Sequence, residues 1–167
     1  YIRNEASDNT IGGTAAGAGN TIGFNGGTGI LIQFAGTTGN VVQGNFIGTN
    51  ADGDNYGNRN GIWILSGASN NIIGGSAAGA ANTIGHNTEQ GLILQNTGTS
   101  NNTIQGNFIG TNAAGADLGN GAIGVRILFG PSNNTIGGSG VGEGNTIGFN
   151  VDGIQVANQG ASPTGNQ

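Results

Sequence analysis

The hexapeptide NFIGTN, residues 45–50, returns unchanged at 107–112, and near-copies surround it: NTIGFN at 20–25 and 145–150, NTIGHN at 82–87. Working outward from these copies, longer stretches align as well. NTIGGTAAGAGNTIGFN starts at Asn9, NIIGGSAAGAANTIGHN at Asn71 and NTIGGSGVGEGNTIGFN at Asn134, with offsets of 62 and 63 residues. NVVQGNFIGTNADG at Asn40 matches NTIQGNFIGTNAAG at Asn102, again 62 residues on. A third marker, a glycine leading an alternating stretch, appears as GILIQ (29), GIWIL (61), GLILQ (91), GVRIL (124) and GIQVA (153). The unit is about 31 residues, and two alternating kinds make the longer period.

Each unit holds three strand-like pieces and no helical pattern. The Gly-led stretch alternates with period two, the second piece reads Asn-x-Ile/Val, and the third is the hexapeptide. Gly, Asn, Thr and Ala fill the intervals, as suits tight corners. Strands this short cannot stand alone, and parallel pairing needs a long crossover. A solenoid supplies it, because each strand's neighbour is its own counterpart one coil later. The spacing therefore predicts an all-β, three-sided parallel β-helix of about five coils, with strands ~4.8 Å apart.

The inward columns of that helix are aliphatic at every coil. The first wall offers Ile30/Ile32, Ile62/Ile64, Leu92/Leu94, Val125/Ile127 and Ile154/Val156. Ile11, Val42, Ile73, Ile104 and Ile136 belong to the second wall, and Ile22, Ile47, Ile84, Ile109 and Ile147 to the third. Asn9, Asn40, Asn71, Asn102 and Asn134 are predicted to stack as an amide ladder. The hexapeptide is read as the third wall, with Asn at both corners. In that alignment His86 shares a slot with Phe24 and Phe149, and Thr49 and Thr111 fill it in the intervening coils. Insertions alternate between two corners: GGTAAGAG (12–19) and GGSAAGAA (74–81) in one kind of unit, ADGDNYGNRN (51–60) in the other.

Composition narrows the function classes. The chain has 38 Gly, no Cys, no Met, no Lys and 7% charged residues, with a formal net charge of −5. Periodic Ile and Val with so little charge argue for folding over disorder. Arg3, Arg59 and Arg126 are the only basic side chains besides His86, too few for a phosphate-binding surface, which argues against nucleic acid and disfavours an anionic membrane surface as partners. No apolar run reaches the ~20 residues of a membrane span. Without cysteine there are no disulfides and no zinc-thiolate sites.

The NTIGFN and GILIQ patterning resembles the right-handed parallel β-helix repeats of the pectate-lyase-like superfamily, above all large secreted or surface bacterial repeat proteins. The likeness covers essentially the whole chain. It implies a right-handed helix and an extracellular or cell-surface location, on a fold that hosts lyases, hydrolases, adhesins and structural stalks alike. Hydrolases of that superfamily use clustered aspartates, and its lyases use acidic calcium ligands with an arginine base. The outward columns of the first wall read Tyr1, Leu31, Trp63, Ile93, Arg126, Gln155 and Arg3, Gln33, Leu65, Gln95, Leu128, Ala157. Neither contains the carboxylate pair that glycoside hydrolysis requires, and Arg126 lacks acidic neighbours. No catalytic site and no cofactor are expected.

Two constellations remain. Asn50, Asp52 and Asp54 alternate as in a calcium loop, yet Asn55 replaces the glycine and Gly61 the glutamate that such a loop needs. The counterpart at 112–117 has Ala114 and Ala116 in place of the aspartates, which favours a plain polar loop. The second is an apolar stripe on an outward face: Tyr1, Leu31, Trp63, Leu65, Ile93, Arg126 and Leu128. Such stripes mark contacts. Self-association ranks first here, cover by the 51–60 loop second and glycan stacking on Trp63 third. The chain opens inside a first-wall strand and stops at TGNQ, where the pattern would resume. The expectation is one segment, 1–167, from a longer array or a stacking unit. Its expected role is a non-catalytic scaffold that associates with itself end to end or laterally; the alternative is a module that binds or degrades polysaccharide.

Overall fold

The computed structural model describes residues 1–157 and 161–167. Three parallel sheets wrap one interior. The first wall has six strands: β1 (Ile2–Arg3), β4 (Thr28–Gln33), β7 (Asn60–Leu65), β10 (Leu92–Gln95), β13 (Ile123–Leu128) and β16 (Asp152–Ala157). The second stacks β2 (Thr10–Gly12), β5 (Val41–Gln43), β8 (Ile72–Gly74), β11 (Thr103–Gln105) and β14 (Thr135–Ile136). The third stacks β3 (Thr21–Ile22), β6 (Phe46–Ile47), β9 (Thr83–Ile84), β12 (Phe108–Ile109) and β15 (Thr146–Ile147). Every pairing between these strands is parallel, and each joins counterparts one coil apart.

The registers are those read from the repeat. Ile32 lies over Ile2 and under Ile64, Val42 over Ile11 and under Ile73, Ile47 over Ile22 and under Ile84. Ile32, Ile64, Ile73, Ile84, Leu94, Ile104 and Ile109 are wholly removed from water. Burial of this kind stabilises by roughly 25 cal/mol per Å² of apolar surface, and it is complete in the middle coils and partial at Ile11, Ile22, Ile136 and Ile147 in the end coils. Ile154 and Val156 keep the register over Val125 and Ile127 but are 53% and 60% exposed, in contrast to the expectation for inward residues. They stand in the last strand of the first wall, with no described strand above them.

Short walls demand sharp corners, and asparagine builds all of them. The predicted ladder Asn9–Asn40–Asn71–Asn102–Asn134 is present and extends to Asn166. Asn71 shows the wiring: its Oδ1 accepts from the backbone N–H (3.1 Å) and the amide (2.9 Å) of Asn40. Its Nδ2 donates to Asn102 Oδ1, to the Ser69 carbonyl at 3.0 Å and to the Thr37 carbonyl at 3.3 Å. Two further ladders run at the other ends of the third wall. One is Asn20–Asn45–Asn82–Asn107–Asn145, the other Asn25–Asn58–Asn87–Asn120–Asn150. The interior members are buried, so complete pairing is what makes them tolerable there.

The last ladder corrects the reading of NFIGTN. Its second asparagine, Asn50 or Asn112, is outside the ladder, and Asn58 and Asn120 take the place. Asn50 Oδ1 instead accepts from the N–H groups of Asp52 (3.1 Å) and Asp54 (2.8 Å), and Asn112 does the same for Ala114 and Ala116. The chain leaves the coil after Gly48 or Gly110, makes an Asx-type turn, and rejoins the corner eight to ten residues later.

Candidate functional site

Four of the stripe residues, Leu31, Trp63, Ile93 and Arg126, fall in one straight column, since β4, β7, β10 and β13 pair them in register. Together with Tyr1 and Leu128 they line a groove of about 370 Å³ along the first wall. The column is less open than an outward face implies. Ile93 and Leu128 are buried, while Leu31, Trp63, Leu65 and Arg126 are half-buried and Tyr1 is exposed. Leu65 belongs to the same face without lining the groove.

The rim of the groove is polar. Arg59 Nε donates to Glu89 Oε1 at 2.9 Å on one side. Arg126 Nε donates to Gln155 Oε1, also at 2.9 Å, and Thr28, Asn60, Gln90 and Gln95 add polar groups to the lining. The Arg59–Glu89 pair is largely exposed and contributes little to stability. Trp63 Nε1 is buried and has no hydrogen-bond partner, a deficit worth about 1–3 kcal/mol when left unmet. Chemically, the groove offers part of an indole ring face, amide groups and two engaged guanidinium groups.

Of the 51–60 loop only Arg59 and Asn60 reach this groove. His86 Nε2 lies 3.1 Å from the Gly53 carbonyl, and Gly53 faces Leu118 and Asn112, so the loop sits over the corner between the third and first walls. Asn60, read as its last residue, already belongs to β7. Within the loop, Asn50 Nδ2 donates to Asp54 Oδ2 at 2.9 Å. Asn50, Asp52 and Asp54 are thus tied to one another in the same turn that the counterpart forms with alanines. Among the described residues no group of three or more His, Asp or Glu side chains is placed to hold a metal.

A second surface feature was not legible in the sequence. Thr49 and Thr111 do not share the slot of Phe24, His86 and Phe149. Both threonines are buried, and their hydroxyls donate to the carbonyls of Asp54 (3.0 Å) and Ala116 (2.9 Å), closing the loops. The slot is refilled when each loop returns. Phe24 N–H donates to the Tyr56 carbonyl and His86 N–H to the Leu118 carbonyl, both at 2.8 Å. The corner therefore carries a row Phe24–Tyr56–His86–Leu118–Phe149, in which Phe24 and Phe149 are exposed, Tyr56 and His86 half-buried and Leu118 buried. Phe24 and Tyr56 stack with centroids 4.5 Å apart. Gly23 and Gly85 make room for the returning residues, because a Cβ there would stand 2.5 Å from Tyr56 Cβ and 2.7 Å from Leu118 Cβ.

The fold and its surfaces define a class: a tandem-repeat parallel β-solenoid with asparagine-laddered corners. Comparison with protein-family models, curated proteins and solved structures finds no significant match for this chain.

Proposed function

We propose that the chain is a non-catalytic structural repeat of a secreted, cell-surface or filament-forming protein, of the pectate-lyase-like β-helix type, and that it associates with further copies of itself. The observation that carries this reading is the continuity of the three asparagine ladders. They run through every described coil, so each coil templates the next and stiffness is distributed along the axis. Chemistry in the groove finds little support. Glu89 is the one carboxylate among the described lining residues, it is engaged by Arg59, and hydrolysis needs a second. Incubating the chain with neutral and acidic polysaccharides should give no new reducing ends and no unsaturated products. Reproducible turnover of any of them defeats the scaffold reading.

A second reading rests on Trp63. Its half-buried ring lies between Leu31 and Ile93, and Gln90, Gln95 and Arg126 flank it. A sugar can stack on the exposed part of such a ring and hydrogen-bond to the flanking amides. On this reading Trp63→Ala, still folded, loses retention on a glycan array. Equal retention of parent and variant removes it.

A further inference from the structure

Two buried carboxamides stand outside the asparagine ladders, and they stand side by side: Asn60 is 4% and Gln90 9% exposed. Every other buried Asn among the described residues is a ladder member with both Oδ1 and Nδ2 engaged. Asn60 Oδ1 accepts from the Gln90 backbone N–H at 3.2 Å. Asn60 Nδ2 and the whole Gln90 side-chain amide have no hydrogen-bond partner among the described residues. Neither is sealed off, since the one unpartnered side-chain polar atom wholly shielded from solvent there is Trp63 Nε1. Unpaired amides at this depth are unfavourable and call for an explanation. Both residues line the groove of the first wall. The glycine leading each strand puts them there. A Cβ at Gly61 would stand 2.7 Å from Ile84 Cγ2, and one at Gly91 2.8 Å from Ile109 Cγ2, so these glycines face the interior and turn the preceding residue toward the groove. In consecutive coils that residue is Thr28, Asn60 and Gln90, three positions ahead of Leu31, Trp63 and Ile93. The groove thus has an apolar column on one side and a hydroxyl and two carboxamides on the other.

We infer that the groove holds a neutral glycan of pyranoses with equatorial hydroxyls, a glucan-like chain, and that Asn60 and Gln90 read those hydroxyls; this deepens the glycan reading of Trp63 and rests on it. Equatorial hydroxyls leave a sugar ring polar at its edge and clad in C–H on its faces. Such a ring meets both columns at once, its face on Leu31 and the exposed part of Trp63, its edge on the two carboxamides. A carboxamide presents donor and acceptor together, which matches neighbouring hydroxyls that each donate and accept. The charges beside the pair select against an acidic sugar. Arg59 and Glu89, the chain neighbours of Asn60 and Gln90, are joined at 2.9 Å, and a uronate placed on Gln90 would meet the Glu89 carboxylate. Arg126 lies past Ile93 on the next strand, with its Nε held by Gln155.

Titration of the intact chain with cellohexaose, a soluble linear β-glucan, tests the inference by calorimetry and by NMR. Binding should saturate, and the side-chain amide resonances of Asn60 and Gln90 should move with occupancy. Gln90→Leu breaks no hydrogen bond among the described residues, because the bond to Asn60 comes from the backbone N–H. It should weaken binding at least about tenfold while melting no lower than the parent, whereas loss of a glutamine kept only for structure would lower the melting temperature and leave binding alone. Amide resonances that stay still at saturation overturn the inference, as does a Gln90→Leu variant that binds as tightly as the parent. Polygalacturonate bound in preference to cellohexaose overturns it as well. The Trp63 reading survives all three results if Trp63→Ala still loses retention on the glycan array, and a parent that retains no glycan removes both.

Discussion

Asn87 and His86 are adjacent in the chain and lie at the same corner, yet they belong to opposite economies. Asn87 points inward, is buried, and has all its polar atoms engaged: Oδ1 accepts twice from Asn58, and Nδ2 reaches the Gly85 carbonyl and Asn120 Oδ1. His86 turns the other way, half-buried in the outer row, with its Nε2 3.1 Å from the Gly53 carbonyl. One column is dictated by the cost of leaving polar groups unpaired in a dry interior. The other is held against the preference of its own backbone. A stacked column thus reveals its role by what its removal would cost.

The largest effect expected is on the inner column. Asn87→Leu keeps the volume but strands the backbone N–H of Asn58 and the carbonyl of Gly85, and takes one bond each from Asn58 Nδ2, the Ile47 carbonyl and Asn120 Oδ1. It should lower the unfolding free energy by at least about 4 kcal/mol, read by denaturant titration; a loss below about 1 kcal/mol means the ladder is ornamental. Next comes Ile84→Ala, which empties a fully buried site between Ile47 and Ile109 and should cost about 3 kcal/mol. Asn112→Ala removes the acceptor that shapes the second loop and should cost about 1 kcal/mol, visible as a lowered melting temperature. Breaking the outer row should reverse the sign. Phe149→Asn relieves a left-handed phenylalanine and is expected to raise stability by up to about 1 kcal/mol. Should Phe149→Asn prove as damaging as Asn87→Leu, the contrast between the two columns collapses. Arg59→Ala should change stability by less than about 0.5 kcal/mol, because its ion pair with Glu89 is exposed.

Much of this architecture could be read off the chain because a solenoid writes its contacts at one fixed separation. Ile22, Ile47 and Ile84 pile vertically as their repeat positions require, and the ladder from Asn9 to Asn134 follows from five asparagines in equivalent places. The misreadings arose where two local solutions share one sequence. NFIGTN and NTIGFN look interchangeable, but Thr49 and Asn50 turn out of the coil into a loop, whereas Phe24 and Asn25 turn the corner. No identity at the hexapeptide tells these apart. The decision is taken later, where Tyr56 settles on Gly23 and Leu118 on Gly85. The apolar stripe was legible as a column, while its concavity depended on how far Ile93 and Leu128 sink beside Trp63 and Arg126.

By itself, then, the order of residues determined the coil period, the three walls, the aliphatic interior and one ladder, since each is a relation between equivalent positions repeated along the chain. Tertiary structure alone decided which asparagines complete the third ladder, which face is a groove, and that three hexapeptides and two long loops contribute to a single row at one corner. Those outcomes depend on where long loops come back to the body, and close packing of side chain on glycine backbone sets that return point.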